Sequence, residues 1–194
     1  MAKTPARLIV GISGASGTVY GVRLLEMLRK ADIETHLVMS KSAEMTLAYE
    51  TDLKPKDVRA LASVHYPASD IGAAISSGSF PTMGMIVAPC SIRTMSEIAT
   101  GVTASLLSRA ADVVLKEKRR LVLAVRETPL HSGHLRSMTT LADIGAVIAP
   151  IVPAFYNRPQ SVDDIVNHTC GRLLDLFGID TGTVKRWKGG PAAE

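Results

Sequence analysis

Aromatic residues make up only 4% of this 194-residue chain, and there are just two cysteines. A core so poor in rings must be filled by Leu, Ile, Val, Met and Ala; 46% hydrophobic against 21% charged residues supplies enough, which excludes intrinsic disorder. Cys90 and Cys170 stand too far apart in sequence to suggest a disulfide framework, and the stretch Met1-Ala2-Lys3-Thr4-Pro5 lacks the apolar run of a signal peptide. The expectation is a reduced, cytoplasmic protein. The longest nearly apolar run, 146–155, contains Pro150 and Pro153 and falls short of the roughly 20 residues that cross a bilayer. Positive charge is in mild excess, 22 Lys plus Arg against 18 Asp plus Glu, but forms no concentrated stripe, so no nucleic-acid partner is expected. The length suits a single domain over 1–194, with a Gly-Gly-Pro-Ala-Ala tail expected to fray within 188–194.

What is present is an alternation of strand and helix patterns. Residues 8–12 form a short apolar run closed by glycine, after which Val22, Leu25 and Leu28 recur at helical spacing as far as Lys30. Residues 33–39 alternate as a half-buried strand does, and Ser40-Lys41-Ser42 opens the next helical stretch. The continuous apolar runs 85–89, 121–125 and 146–149 read as parallel strands covered on both faces. Ser161 can cap a last helix through the amide of Asp164, with Val162, Ile165, Val166, Thr169, Leu173 and Leu176 on one packed side. This is an α/β chain: a doubly wound, mainly parallel sheet in a three-layer sandwich, flavodoxin-like or Rossmann-like. Ligands of such folds sit beyond the carboxyl ends of the strands, here after Ile12, Met39, Pro89, Val125 and Ala149.

The segments at those positions carry the polar residues. Gly11-Ile12-Ser13-Gly14-Ala15-Ser16-Gly17 links a strand to a helix and reads either as a phosphate-binding turn or as an ordinary βα connection; its spacing is neither the dinucleotide fingerprint nor the Walker pattern. Ser40, where NAD-binding folds carry a ribose-binding carboxylate, points toward FMN or another phosphorylated ligand. Ser91-Ile92-Arg93-Thr94 is an anion or flavin-edge turn, or simply a serine cap. Cys90 reads as a buried small hydrophobe. Arg126 and Glu127 end a buried strand, where charge needs a partner or a task, whereas Glu50 alone reads as a solvated helix-end carboxylate. Ser76-Ser77-Gly78-Ser79 looks like a flexible binding loop, and Arg109 and Lys116 fall one above the other at i, i+7 on a helix. His131 and His134 lack a third ligand, so no metal is expected; His36, His65 and His168 read as structural or surface residues.

Taken together, Ser13 to Gly17, Glu50-Thr51, Ser77-Gly78-Ser79, Pro89-Cys90-Ser91-x-x-Thr94, Arg109 to Glu117, Arg126-Glu127-x-Pro129, Pro153-x-Phe155-Tyr156, Arg172 and Arg186-Trp187 resemble the UbiX family of flavin prenyltransferases from about Leu8 to Trp187. The resemblance implies transfer of a dimethylallyl group from dimethylallyl phosphate to N5 and C6 of reduced FMN, without metal. It implies that the prenylated FMN serves a UbiD-type decarboxylase and that the enzyme is a large homo-oligomer, a dodecamer. It places FMN against Gly14, Ala15, Ser16, Ser40, Ser91, Ile92, Arg93, Thr94 and Arg126. It places the prenyl phosphate against Lys116, Tyr156, Arg172 and a neighbouring subunit's Arg126, and proton transfer on Glu127, Glu50 and Ser16. The alternatives are a direct FMN-dependent aromatic acid decarboxylase and an FMN-binding accessory subunit of one.

Overall fold

The structure, a computed structural model, describes residues 6–187 and Gly189. The expected fraying of 188–194 therefore lies outside the described residues, Gly189 apart. Six strands, β1 (Arg7–Ile12), β2 (Glu34–Met39), β3 (Val64–Tyr66), β4 (Gly84–Cys90), β5 (Arg120–Val125) and β6 (Val147–Ile148), pair in parallel in the order β3-β2-β1-β4-β5-β6. The helices are α1 (Thr18–Lys30), α2 (Lys41–Glu50), α3 (Pro55–Arg59), α4 (Ile92–Ala99), α5 (Leu106–Lys116), α6 (Ser132–Asp143) and α7 (Val162–Asp175). Alternate strand residues face opposite layers. Leu8, Val10, Ile12, Ile86 and Ala88 pack under α1, α2, α3 and α7, while Ile9, Met85, Val87 and Leu123 pack under α4, α5 and α6. The expected doubly wound sandwich is thus observed, with the order of connection reversing between β1 and β4.

Several elements depart from expectation. β2 is buried on both faces rather than alternately: Thr35 pairs with Ser63 through reciprocal backbone and hydroxyl bonds, and His36 lies between Glu34 (2.9 Å) and the Tyr66 hydroxyl (3.0 Å). Polar residues on a buried strand are tolerated because each has a partner. The run 146–149 yields only a two-residue edge strand, half-buried, because β5 is its sole neighbour in the sheet. β3 and α3 have no strong apolar period and are not evident in the sequence. α7 is capped by Ser161 as expected (3.1 Å from the Asp164 amide), but its buried side runs through Val166, Cys170, Leu173 and Leu174, leaving Val162 exposed.

Candidate active site

At the carboxyl edge of the sheet, over the β1–β4 reversal, lies a crevice of about 430 Å³. Its wall takes Gly14 from the turn after β1, Ser40 and Ser42 after β2, Ser91 to Thr94 after β4, Ser105 before α5 and Glu127 after β5. Three helices begin here, and each is capped by a serine. The hydroxyls of Ser40, Ser91 and Ser105 accept from the amides of Ala43, Thr94 and Ser108. Converging helix N-termini, with Lys41 and Arg93 also on the wall, create a positive field suited to a phosphate. Gly14 matters by what it lacks: a Cβ there would meet the Ser42 Cβ at 2.2 Å, so the first turn could not close onto α2 with a larger residue. Ser13, fully buried, fastens this corner by donating to the Pro89 carbonyl (2.9 Å) and accepting from the Ser91 amide (2.7 Å). Ser91 is therefore a cap and a lining residue at once, so its two readings are not alternatives.

The Gly-rich turn does not work as a free phosphate seat. Glu50, from the last turn of α2, accepts from the Gly17 amide (3.0 Å) and from the Thr18 amide (2.9 Å) and hydroxyl (2.8 Å), so a carboxylate already occupies the start of α1. Partial burial pushes the Glu50 carboxyl up, but hydrogen bonds from Ser16, Thr18 and Gly17 outweigh it and hold it below the ordinary carboxylate range. The reading of Glu50 as merely solvated is corrected. Ala15 and Ser16 stay at this corner, Ser16 exposed.

Arg126 and Glu127 follow the buried strand, which ends at Val125 as expected, and both are exposed, so neither charge needs a buried partner. Glu127 accepts only from the amide of Thr128, a local bond that leaves the carboxylate facing the crevice. Arg93, its side chain largely exposed, pairs with Glu97 (3.0 Å) on the wall of the crevice beside Ile92 and Thr94. Cys90 is buried beneath the crevice and its thiol is pushed up to about 12 by burial, which agrees with a packing role.

The remaining predicted residues lie elsewhere in the chain. The Tyr156 hydroxyl shares a hydrogen bond with His168 Nε2 (3.2 Å), and its ring meets Trp187 edge-on. One turn along α7, Arg172 donates to Asp175 (2.7 Å), which also binds Arg186. The Arg186 guanidinium, with Arg172 beside it, holds the Asp175 carboxyl down. His168 is a residue whose environment the sequence did not reveal. Burial, with Arg172 and Arg186 nearby, lowers its pKa, and its Nδ1 has no partner among the described residues. Lys116 ends α5, a helix about 16 Å long whose first amide bonds Ala68 at the carboxyl edge, so Lys116 reaches the opposite edge of the sheet and the other layer from α7. There it pairs with Glu117, while Arg109 pairs with Asp112 (2.9 Å). His131 caps α6 through Nδ1, its ring tilted against that of His134 with centroids 3.6 Å apart. Among the described residues no group of three or more His, Cys, Asp or Glu could hold a metal ion.

The model of the Flavoprotein family matches residues 2–174. The chain is 62% identical to the flavin prenyltransferase UbiX of Escherichia coli K12, over 94% of this chain and 98% of that protein. This chain belongs to the UbiX flavin prenyltransferase family. The crystal structure of AnUbiX (PadA1) in complex with FMN and dimethylallyl pyrophosphate superposes with a TM-score of 0.95 at 50% identity, covering 96% of this chain and 100% of that one. The dodecameric FMN-dependent UbiX-like decarboxylase of E. coli O157:H7 superposes at 0.92, also at 50% identity, over 94% of this chain and 100% of that one. Among the described residues no helix is long and apolar enough to cross a membrane.

Proposed function

We propose that this family member is a flavin prenyltransferase. It moves a dimethylallyl group from dimethylallyl phosphate to N5 and C6 of reduced FMN and passes prenylated FMN to a UbiD-type decarboxylase. The observation that carries this reading is end-to-end identity of 62% with a flavin prenyltransferase, supported by a crevice built for a phosphorylated ligand. Reduced FMN would supply the nucleophilic nitrogen and carbon, each losing a proton as its new bond forms, with one proton added to the donor's double bond and the other leaving with phosphate. Ser40, Ser91, Ile92, Arg93 and Thr94, with Gly14, Ala15, Ser16 and Arg126 at the rim, would hold FMN, and the three capped helix starts fit its phosphate.

In the prenyl donor the carbon–oxygen bond breaks and phosphate leaves. Lys116, Tyr156, Arg172 and a neighbouring subunit's Arg126 lower the barrier by binding that phosphate more strongly as its charge grows. Lys116 and Arg172 lie on opposite layers of one chain, so the phosphate set closes only between subunits, in accord with a homododecamer. Glu127, open to the crevice, carries the proton at the departing phosphate; Glu50, its affinity for protons lowered, is a poor relay and mainly holds the Ser16 corner. A cytoplasmic location is part of the proposal, supported by two buried thiols that stay free.

The test is anaerobic incubation with reduced FMN and dimethylallyl phosphate, followed by mass analysis of the flavin. The expected result is a flavin heavier by one dimethylallyl unit. Unmodified flavin, with carbon dioxide released from an added aromatic acid, would establish the decarboxylase instead.

A further inference from the structure

α5 ends in a Schellman turn: the Lys118 amide donates to the Leu115 carbonyl and the Arg119 amide to that of Val114 (2.9 Å). That turn aims the Arg119 side chain back across the end of the helix. Its two terminal nitrogens donate to the carbonyls of Phe80 and Gly78, each at 2.7 Å, so one guanidinium grips both ends of a three-residue tip. The Phe80 ring is fixed in turn, edge-on to buried His36 (5.1 Å) and under the Arg7 guanidinium (5.0 Å). The loop expected to be flexible is thus anchored from two sides. Its tip lies against the Lys116–Glu117 pair so closely that a Cβ on Gly78 would meet Glu117 Oε1 at 2.2 Å and Lys116 Nζ at 2.8 Å.

We propose that Arg119 is a positioning residue for prenyl transfer: by clamping the Gly78–Phe80 loop it fixes where the Lys116 ammonium is presented to the phosphate of the prenyl donor. A flexible four-carbon stem would otherwise leave that point charge to wander. The inference rests on the proposed role of Lys116, and the experiment separates the two.

Gly78→Ala removes no charge and meets only the ends of two flexible side chains, so it folds while displacing the ammonium. Expected are a loss of about 10- to 100-fold in kcat/KM for dimethylallyl phosphate, in both Gly78→Ala and Arg119→Ala, with FMN affinity and oligomer mass as in the unaltered protein. The double variant Gly78→Ala/Lys116→Ala should be no worse than Lys116→Ala alone, because both act through one group. Wild-type kcat/KM in Arg119→Ala or in Gly78→Ala, or additive losses in the double variant, overturns the positioning role while leaving that of Lys116 intact. Wild-type kcat/KM in Lys116→Ala overturns the reading beneath it. Should Arg119→Ala fail to fold, Arg119→Lys, which keeps the charge but has no fork to reach the Phe80 and Gly78 carbonyls together, takes its place and should show the same loss.

Discussion

Two carboxylates of the same chemical type are given different work by their surroundings. Glu50 accepts four hydrogen-bonding contacts from Gly17 and Thr18 at the start of α1, whereas Glu127 accepts one local amide and faces the crevice. Glu50→Gln should lower stability by about 1 kcal/mol at neutral pH, the usual worth of an N-terminal cap with its charge, reduced by exposure. The folded pKa of Glu50 lies below its ordinary value of 4.5, so its contribution is complete above that pH and is lost as pH falls through the folded value. Denaturant titrations of the two proteins should therefore differ at pH 7 and converge in acid; a constant gap across that range would refute the electrostatic origin. Glu127→Gln should keep FMN and prenyl phosphate bound yet slow single-turnover transfer by about 100- to 10,000-fold, the range of general acid–base catalysis. A folded oligomer turning over at the wild-type rate would remove the proton step from Glu127. Sequence alone already favoured Glu127 over Glu50; it read Glu50, taken by itself, as a solvated helix-end carboxylate because its partners, 32 and 33 residues distant, have no local signature.

At the scale of elements, legibility followed burial. β1, β4 and β5 are buried on both sides and read as unbroken apolar runs; β3 and β6 are sheet edges whose composition is set by one neighbour, and their extents were missed or overdrawn. β2 misled because Thr35 and His36 look like solvent-facing residues until Ser63, just before β3, and Tyr66, in it, supply their partners. The end of α5 offers a prediction. Lys118 sits at φ 57°, a left-handed conformation costing an L-residue roughly 1–2 kcal/mol, at the position where helices most often place glycine. Lys118→Gly loses some of this gain to the greater freedom of the unfolded chain. Thermal melts should show a net stabilisation of up to about 1 kcal/mol, with the Schellman turn kept. Destabilisation would mean that the exposed lysine makes a contribution the turn geometry does not require.

The whole molecule explains why the candidate site was legible as a set of residue types but not as a place. One chain lays the motifs out in three regions: the crevice at the carboxyl edge, the cluster that Tyr156 forms with His168 and Arg172 of α7, and Lys116 at the opposite edge on the other layer. Sequence spacing carries no information about which symmetry operation brings such regions together, since a neighbouring subunit's residues have the same numbers. A composite site makes a prediction that a self-contained one cannot. Lys116→Ala and Arg172→Ala chains should each keep only a small, measurable fraction of the activity as pure oligomers. If the lysine and the arginine of one site come from different chains, unfolding and refolding the two together should restore about a quarter of the sites, those that draw each side chain from the chain still carrying it. If both came from the same chain, every site in the mixture would lack one of them and none would recover. Prenylated flavin formed per oligomer after mixing, against the two pure variants refolded alone, measures the difference, and its absence at full oligomer yield would return the phosphate site to a single subunit.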